Sequence, residues 1–482
     1  MISIKAQIIN GAKWSSLSTF IITITQIIQF LLLGNSLTVQ EFGMVGMFTT
    51  MIIFAQIILD LGIGSAVIQK EQLSNRQLST LFWMNLLVGI FLFFTLQLGG
   101  PLIASFFHET ELISGIHLLA FLFLFAPIGQ QAQYLLQKEL RFQIIGKIET
   151  VSVLVSFLLL LVFLFRSSMQ PIIAYVASQV ILYSLRGLLY YMCYRKIWKP
   201  AFIFDLSCCK DIFSFGFYQL LSRLVNRIGG NLDVILIGKF MGMEALGIYS
   251  LVYQIVTIPV LKINPIITRV AFPVFSKVQH DNAQLADGFI YMTKIIAFIT
   301  FPLLIGLLAL SDLFIALIFG KEWMDAVPIL KIMLLVGILR VLMNPNGSII
   351  LAKGKANLAF YWDAAFMIIY GIALFSAVLS ERLVVVAWTY AAVSFINFLL
   401  GRWLLERLIH LKWTMYMRSI LKPFLLAAFI TSVAFFIKII TSFYLSSAIV
   451  LSLSVVISGI VYFLLVKNFL PNKKRKILFK TN

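Results

Sequence analysis

About fourteen apolar stretches, each near or above the ~20 residues that a helix needs to cross a hydrocarbon core, follow one another along this chain. Their approximate limits are 14–36, 42–68, 78–106, 113–136, 148–166, 171–194, 212–238, 246–268, 289–319, 327–352, 358–379, 383–401, 420–440 and 446–467. No gap between them holds a soluble domain; the longest, 195–211 and 269–288, are too short for a nucleotide or nucleotide-sugar site. Composition agrees, with 61% hydrophobic and only 12% charged residues where a soluble domain carries about a quarter. The expected fold class is an all-α polytopic membrane protein of about fourteen transmembrane helices. The first stretch runs past Leu33 without a small-residue cleavage site, so it is expected to stay as a helix rather than leave as a signal peptide.

The net charge of +19 would suggest nucleic acid in a soluble protein, but its distribution points elsewhere. With the N-terminus inside and the spans alternating, most Lys and Arg fall in cytoplasmic loops and tails. Outside fall only Arg166, Lys239, Lys321, Arg382 and Lys438. This is the positive-inside pattern, and it places both termini in the cytoplasm. The tail NKKRKILFK (472–480) reads as a basic anchor against the anionic inner leaflet, and no nucleic-acid partner is expected. Cys193, Cys208 and Cys209 all fall on the predicted cytoplasmic side and lack the companions of a zinc site. No metal or cofactor is expected.

Enzyme chemistry finds no foothold. The Gly-Lys pairs at Gly146, Gly238, Gly320 and Gly354 are followed by Ile, Phe, Glu and Ala, so none ends a P-loop, and no DxD pair could hold a metal–nucleotide.

The chain echoes itself. LLLGNSLTVQEFGMV (31–45) aligns with ILIGKFMGMEALGIY (235–249), matching Leu32 to Leu236, Gly34 to Gly238 and Gly43 to Gly247. APIGQQAQYLLQKE (126–139) is echoed by NPNGSIILAKGKA (344–356). A six-span repeat preserves direction, so the halves are expected to be parallel repeats about an axis along the membrane normal. That gives an N-terminal lobe at 1–200, a C-terminal lobe at 201–410, and two added helices with the basic tail at 411–482. Two such lobes around a central site are the architecture of a transporter.

Charged residues inside the spans are expected to mark that site. Arginine at a helix centre costs ~2.5–3.5 kcal/mol on insertion scales. Within QLLSRLVNRIGGNLD (219–233), Arg223 and Arg227 each lie about 18–24 Å from Asp211 and Lys239, too far to snorkel at ~1.5 Å per residue. Gln219, Arg223, Arg227 and Asn231 recur at i+4 and form one polar stripe. Two readings stay open: a buried network in which Asp60 or Asp233 pairs with one arginine, or a wet cavity for an anion, whose oxygens suit the planar guanidinium. Arg340, just before the break MNPNG (343–347), and Lys262, before Asn264-Pro265, are further candidates, and Arg186 could reach the cytoplasm. Asp60, Asp233 and Asp363 are candidate counter-ions or coupling groups, with Glu149 a further intramembrane acid.

Several segments carry a family resemblance. NLDVILIGKFMGMEALGIYSLVYQI (231–255), AFPVFSKVQHD (271–281) and FGKEWMDAVPILK (319–331) resemble the polysaccharide-transporter branch of the MOP flippase superfamily. EFGMVGM (41–47), LDLGIGSAVIQ (59–69) and PIGQQAQYLLQKELRF (127–142) look like the same Wzx-type family, and like its teichuronic-acid type most of all. The resemblance implies a V-shaped, MATE-like pair of six-helix lobes, with a cationic cavity lined by helices one, two, seven and eight. It also implies a flippase for undecaprenyl-diphosphate-linked oligosaccharide in a bacterial plasma membrane, working beside polysaccharide polymerase and glycosyltransferases. The first span departs from the pattern, offering Ser, Thr and Gln but no arginine, so the charge is expected mostly in the C-terminal lobe. The alternative is a MATE-type multidrug or cation antiporter, which would want acids in the cavity.

Overall fold

Seventeen α-helices make up the described part of the computed structural model: residues 4–469 apart from 71, 344 and 443, with side chains described from 13 to 466 apart from 214, 215, 218, 258–273 and 356. They are α1 (Ile4–Ser36), α2 (Val39–Asp60), α3 (Ile63–Gln69), α4 (Asn75–Phe107), α5 (Leu112–Ala120), α6 (Leu122–Lys138), α7 (Phe142–Arg166), α8 (Pro171–Tyr194) and α9 (Lys210–Phe240), then α10 (Gly242–Lys277), α11 (Asn282–Ile318), α12 (Ala326–Met343), α13 (Pro345–Ala352), α14 (Ala356–Val378), α15 (Leu383–Ile409), α16 (Trp413–Thr441) and α17 (Ser447–Phe469).

Among the described residues, twelve spans are long and apolar enough to cross a membrane, and they coincide with twelve of the fourteen expected stretches. The other two correspond to α9 and α10. At 31 residues α9 is about 46 Å long, ample for a ~30 Å core, but it carries Arg223, Arg227 and Asp233 through its middle. The centre of α10, including Lys262, lies where side chains are not described. Fourteen thus remains a count by length, and twelve the count by length and composition.

Packing divides the chain into two compact units, residues 1–250 and 251–482. In the first, helix starts follow local sequence. Thr38 and Ser74 each accept from the backbone N–H three residues on, while Glu41 and Gln77 reach back to complete capping boxes. The long loop after α8 is a clamp rather than a domain. Trp198 Nε1 donates to Asn75 Oδ1 at 2.7 Å, Trp83 Nε1 to the Ala201 carbonyl at 2.8 Å, and Gln77 Nε2 to the Cys208 carbonyl at 2.8 Å. Arg76 closes it with Asp205 at 2.9 Å. Beneath it, Cys209 and Ile212 join a core with Ile63, Val67, Leu81 and Tyr190. The loop thereby fixes where α9 starts.

The internal repeat has a physical counterpart in this unit. A Cβ on Gly43 would lie 1.9 Å from the Met243 carbonyl oxygen, and one on Gly247 1.9 Å from that of Val39. The register pairing Gly43 with Gly247 also pairs Val39 with Met243, so the two contacts are images of one another. Small residues allow such close crossings in membranes; α6 and α8 cross in the same way at Gly129 and Gly187.

In the second unit, helix is described up to Met343 and again from Pro345, and residue 344, at the centre of the expected break at 343–347, lies outside the described residues. Arg402, placed beyond the twelfth span by sequence, lies within α15 and is 2% exposed. Its guanidinium sits 4.5–5.6 Å from the ring centroids of Tyr416, Phe289 and Phe398, and donates to Asn346 Oδ1.

Candidate functional site

The second expected span is not one helix. Leu61 and Gly62 both take left-handed backbone conformations, at φ 47° and 70°, and end α2 before α3 begins. Asp60, the last residue of α2, is only 8% exposed, yet every oxygen of its carboxylate is used. Oδ1 accepts from the Gly64 N–H at 3.2 Å and from the Tyr134 hydroxyl. Oδ2 accepts from Arg223 Nη1. Arg223 Nη2 donates to Ser65 Oγ at 2.9 Å, and Gln130 Nε2 donates to the Tyr134 oxygen at 2.6 Å. A chain of hydrogen bonds thus joins α6, the end of α2, α3 and α9. The first of the two open readings holds for Arg223, and Asp60 rather than Asp233 is the partner. Asp233 accepts instead from the Tyr249 hydroxyl at 2.6 Å.

This network forms one side of a cavity of about 470 Å³ inside the first unit. Its walls are α2 and α3 (Ile53 to Ile68), α6 (Ala126 to Gln137), α8 (Tyr183 to Tyr190), and Arg223 and Arg227 of α9. Arg227 is exposed there and has no acidic partner among the described residues. Arg186 is the third guanidinium, stacked 5.3 Å from the Tyr183 ring centroid, with its Nε buried and unbonded. Tyr190 beside it donates to Glu149 Oε1 at 3.4 Å. Three guanidinium groups against one lining carboxylate leave two positive charges in a volume typical of small-molecule sites.

Spans two, four, six and seven line this cavity; among the described residues neither α1 nor α10 contributes to its lining. Its guanidinium groups lie at residues 186–227, within the first unit, and two of the three, Arg223 and Arg227, fall within the expected C-terminal lobe at 201–410. Gln219 and Asn231 lie on the same helix, half-buried, but do not line the cavity; Asn231 Nδ2 donates to the Arg227 carbonyl at 2.8 Å.

Arg340 lies in the second unit, 5.4 and 5.1 Å from the ring centroids of Tyr253 and Tyr390, and donates to the Tyr253 hydroxyl at 3.4 Å. Lys262 falls outside the described side chains, and Asp363 is exposed on α14. Sequence reasoning missed the amides: Gln56, Gln130, Gln133 and Gln137 all face the cavity. The signal was present in the i, i+3, i+7 spacing of three glutamines within an apolar span.

A family model described as polysaccharide biosynthesis protein matches residues 33–328. The teichuronic acid biosynthesis protein TuaB of Bacillus subtilis (strain 168) is 54% identical over 482 residues, covering 100% of this chain and 99% of the relative. The lipopolysaccharide biosynthesis protein WzxC of Escherichia coli (strain K12) is 33% identical over 363 residues, 75% of this chain and 73% of the relative. In fold, the chain is similar to the lipid II flippase MurJ in an inward closed conformation, with TM-score 0.70 and 14% identity, over 94% of this chain and 98% of that one. It is also similar to an inward-facing MATE-family transporter of the MOP superfamily, with TM-score 0.59 and 16% identity, over 80% and 95%. With a family model over residues 33–328 and near full-length kinship, the chain belongs to the polysaccharide biosynthesis protein family.

Proposed function

We propose that the protein flips an undecaprenyl-diphosphate-linked oligosaccharide across a bacterial plasma membrane by alternating access, with its diphosphate on Arg223 and Arg227. The observation that carries this is the excess of guanidinium over carboxylate in the cavity. A diphosphate diester bears two negative charges, matching the two left uncompensated there, and guanidinium forks bind phosphate oxygens in charge-assisted pairs. Arg186 joins them from α8. Gln219 and Asn231 extend the polar stripe along α9, and Arg340 and Lys262 offer cationic positions in the second unit for later stages of passage. Asp60 serves as the resident counter-ion, and Asp233 and Asp363 are the remaining candidates for coupling to an ion gradient.

The six-span lobes at 1–200 and 201–410, with 411–482 appended, are the moving parts in this reading, and both termini face the cytoplasm. Glycosyltransferases supply the cargo inside, and a polymerase consumes it outside. The kinship with teichuronic-acid and lipopolysaccharide biosynthesis proteins supports such a cargo. An excess of arginine disfavours the cationic drugs of a multidrug antiporter, and transport rather than catalysis suits a chain of this architecture.

The test is Arg223→Ala with Arg227→Ala in a strain lacking the native gene. Loss of surface polysaccharide and a build-up of the lipid-linked intermediate are expected. Unchanged surface polysaccharide would overturn diphosphate docking on these residues.

A further inference from the structure

The cavity is lined by two chemically different sets of polar groups. The guanidinium groups come from α8 and α9. The amides come from α6, through Gln130, Gln133 and Gln137, and from α2, through Gln56. On α6 the three lie at i, i+3 and i+7, one stripe of the helix. Gln130 is half-engaged: its Nε2 donates to Tyr134, while its Oε1 is buried without a partner. Among the described residues, the amides of Gln56, Gln133 and Gln137 hydrogen-bond to no protein group. Leucine at these positions would favour insertion by ~0.3–0.6 kcal/mol each, so packing and membrane insertion do not account for four glutamines. Each neutral amide offers two donors and an acceptor, which complements hydroxyl groups that both donate and accept. It has no charge with which to compete for phosphate oxygens against three arginines.

We propose that this amide wall is a sugar subsite: Gln56, Gln130, Gln133 and Gln137 hold the hydroxyl groups of the hexose joined directly to the diphosphate. The inference rests on the reading above, in which the arginines hold the diphosphate, and it names what the amides of the same cavity hold. An amide wall engages hydroxyl groups of any hexose, so recognition here is of a sugar rather than of one particular sugar.

The test compares two probes on the purified full-length protein: undecaprenyl diphosphate, and the same lipid bearing a single glucosyl unit. Gln133→Met with Gln137→Met keeps side-chain length and helix propensity while removing two amides. The double variant should bind the glucosyl lipid about tenfold more weakly, the worth of roughly one net hydrogen bond, and bind the bare lipid as the wild type does. Each single variant should lose about threefold, which keeps the test open if the double variant does not fold. Equal weakening for both lipids would place the glutamines in the diphosphate site, and no weakening for either would make them a merely hydrated wall; both outcomes overturn the sugar subsite. Arg227→Ala should weaken both lipids alike. Wild-type binding of both lipids by that variant would refute diphosphate docking, whatever the glutamine variants do.

Discussion

Replacing Asp60 by Asn should increase the affinity for a polyprenyl diphosphate. Asparagine keeps an oxygen for the Gly64 N–H and the Tyr134 hydroxyl, but removes the charge that occupies Arg223. A close ion pair at an effective dielectric constant near 20 is worth at most about 4 kcal/mol. The Asp60 side chain is 12% exposed but that of Arg223 is 43% exposed, so water screens the pair toward the ~0–1 kcal/mol of surface bridges. An intermediate value of about 1.4 kcal/mol corresponds to a tenfold gain in affinity. Titrating undecaprenyl diphosphate into detergent-purified protein, at low and at 150 mM salt, measures it, and the gain should shrink as salt rises. In an Arg223→Ala background, most of the gain should vanish, because the two residues then no longer interact. Unchanged or weaker binding by Asp60→Asn in the otherwise native protein would refute the idea that Asp60 and the anion compete for Arg223.

Gly43→Ala places a methyl group 1.9 Å from the Met243 carbonyl oxygen, a backbone atom that cannot step aside cheaply. It should destabilise the purified protein by about 1–3 kcal/mol, read as a lowered thermal midpoint, and combining it with Gly247→Ala should be less than additive. Burial pushes the Cys209 thiol up to about 12, so it stays protonated and unreactive far above neutral pH. Maleimide at pH 8 should label the exposed Cys193 and leave Cys209 untouched, and raising the pH to 9 should not change that. Rapid Cys209 labelling would show that the loop over α4 does not bury it.

Much of the fold was legible because bilayer thickness leaves few choices. Apolar runs of sufficient length become helices, and the helices found begin and end near the expected limits. The break at Leu61–Gly62 was not legible, because a leucine in a left-handed conformation leaves no mark in the sequence. Arg402 was misplaced for the opposite reason: hydropathy ends its span at 401, whereas three aromatic rings shelter the guanidinium within α15. The arginine stripe of α9 was visible from spacing. Its partner lies 163 residues away, and pairing over that distance is set by packing, not by any local pattern.

The break at residues 61–62 also explains how α9 can keep Arg223 at mid-membrane depth. A Cβ on Gly62 would lie 2.1 Å from the Gly216 carbonyl oxygen, and one on Gly216 would lie 2.7 Å from that of Leu61. Only two glycines permit this contact, which draws α9 against the interrupted span. Gly216 and Arg223 are seven residues apart, two turns on one face of α9, so the crossing at Gly216 directs Arg223 at the end of α2. There Asp60 offers a carboxylate whose other oxygen is already held by Gly64 and Tyr134, and Ser65 on α3 accepts the second guanidinium nitrogen. An unbroken second span would carry Asp60 and Ser65 on separate turns of one straight helix, without the freed Gly64 N–H that helps to hold the carboxylate. Arg227, one turn further on, lines the cavity beyond that contact and has no acid among the described residues. The same crossing therefore divides the labour of the stripe: one arginine is anchored to the protein, and the next is left for an anion.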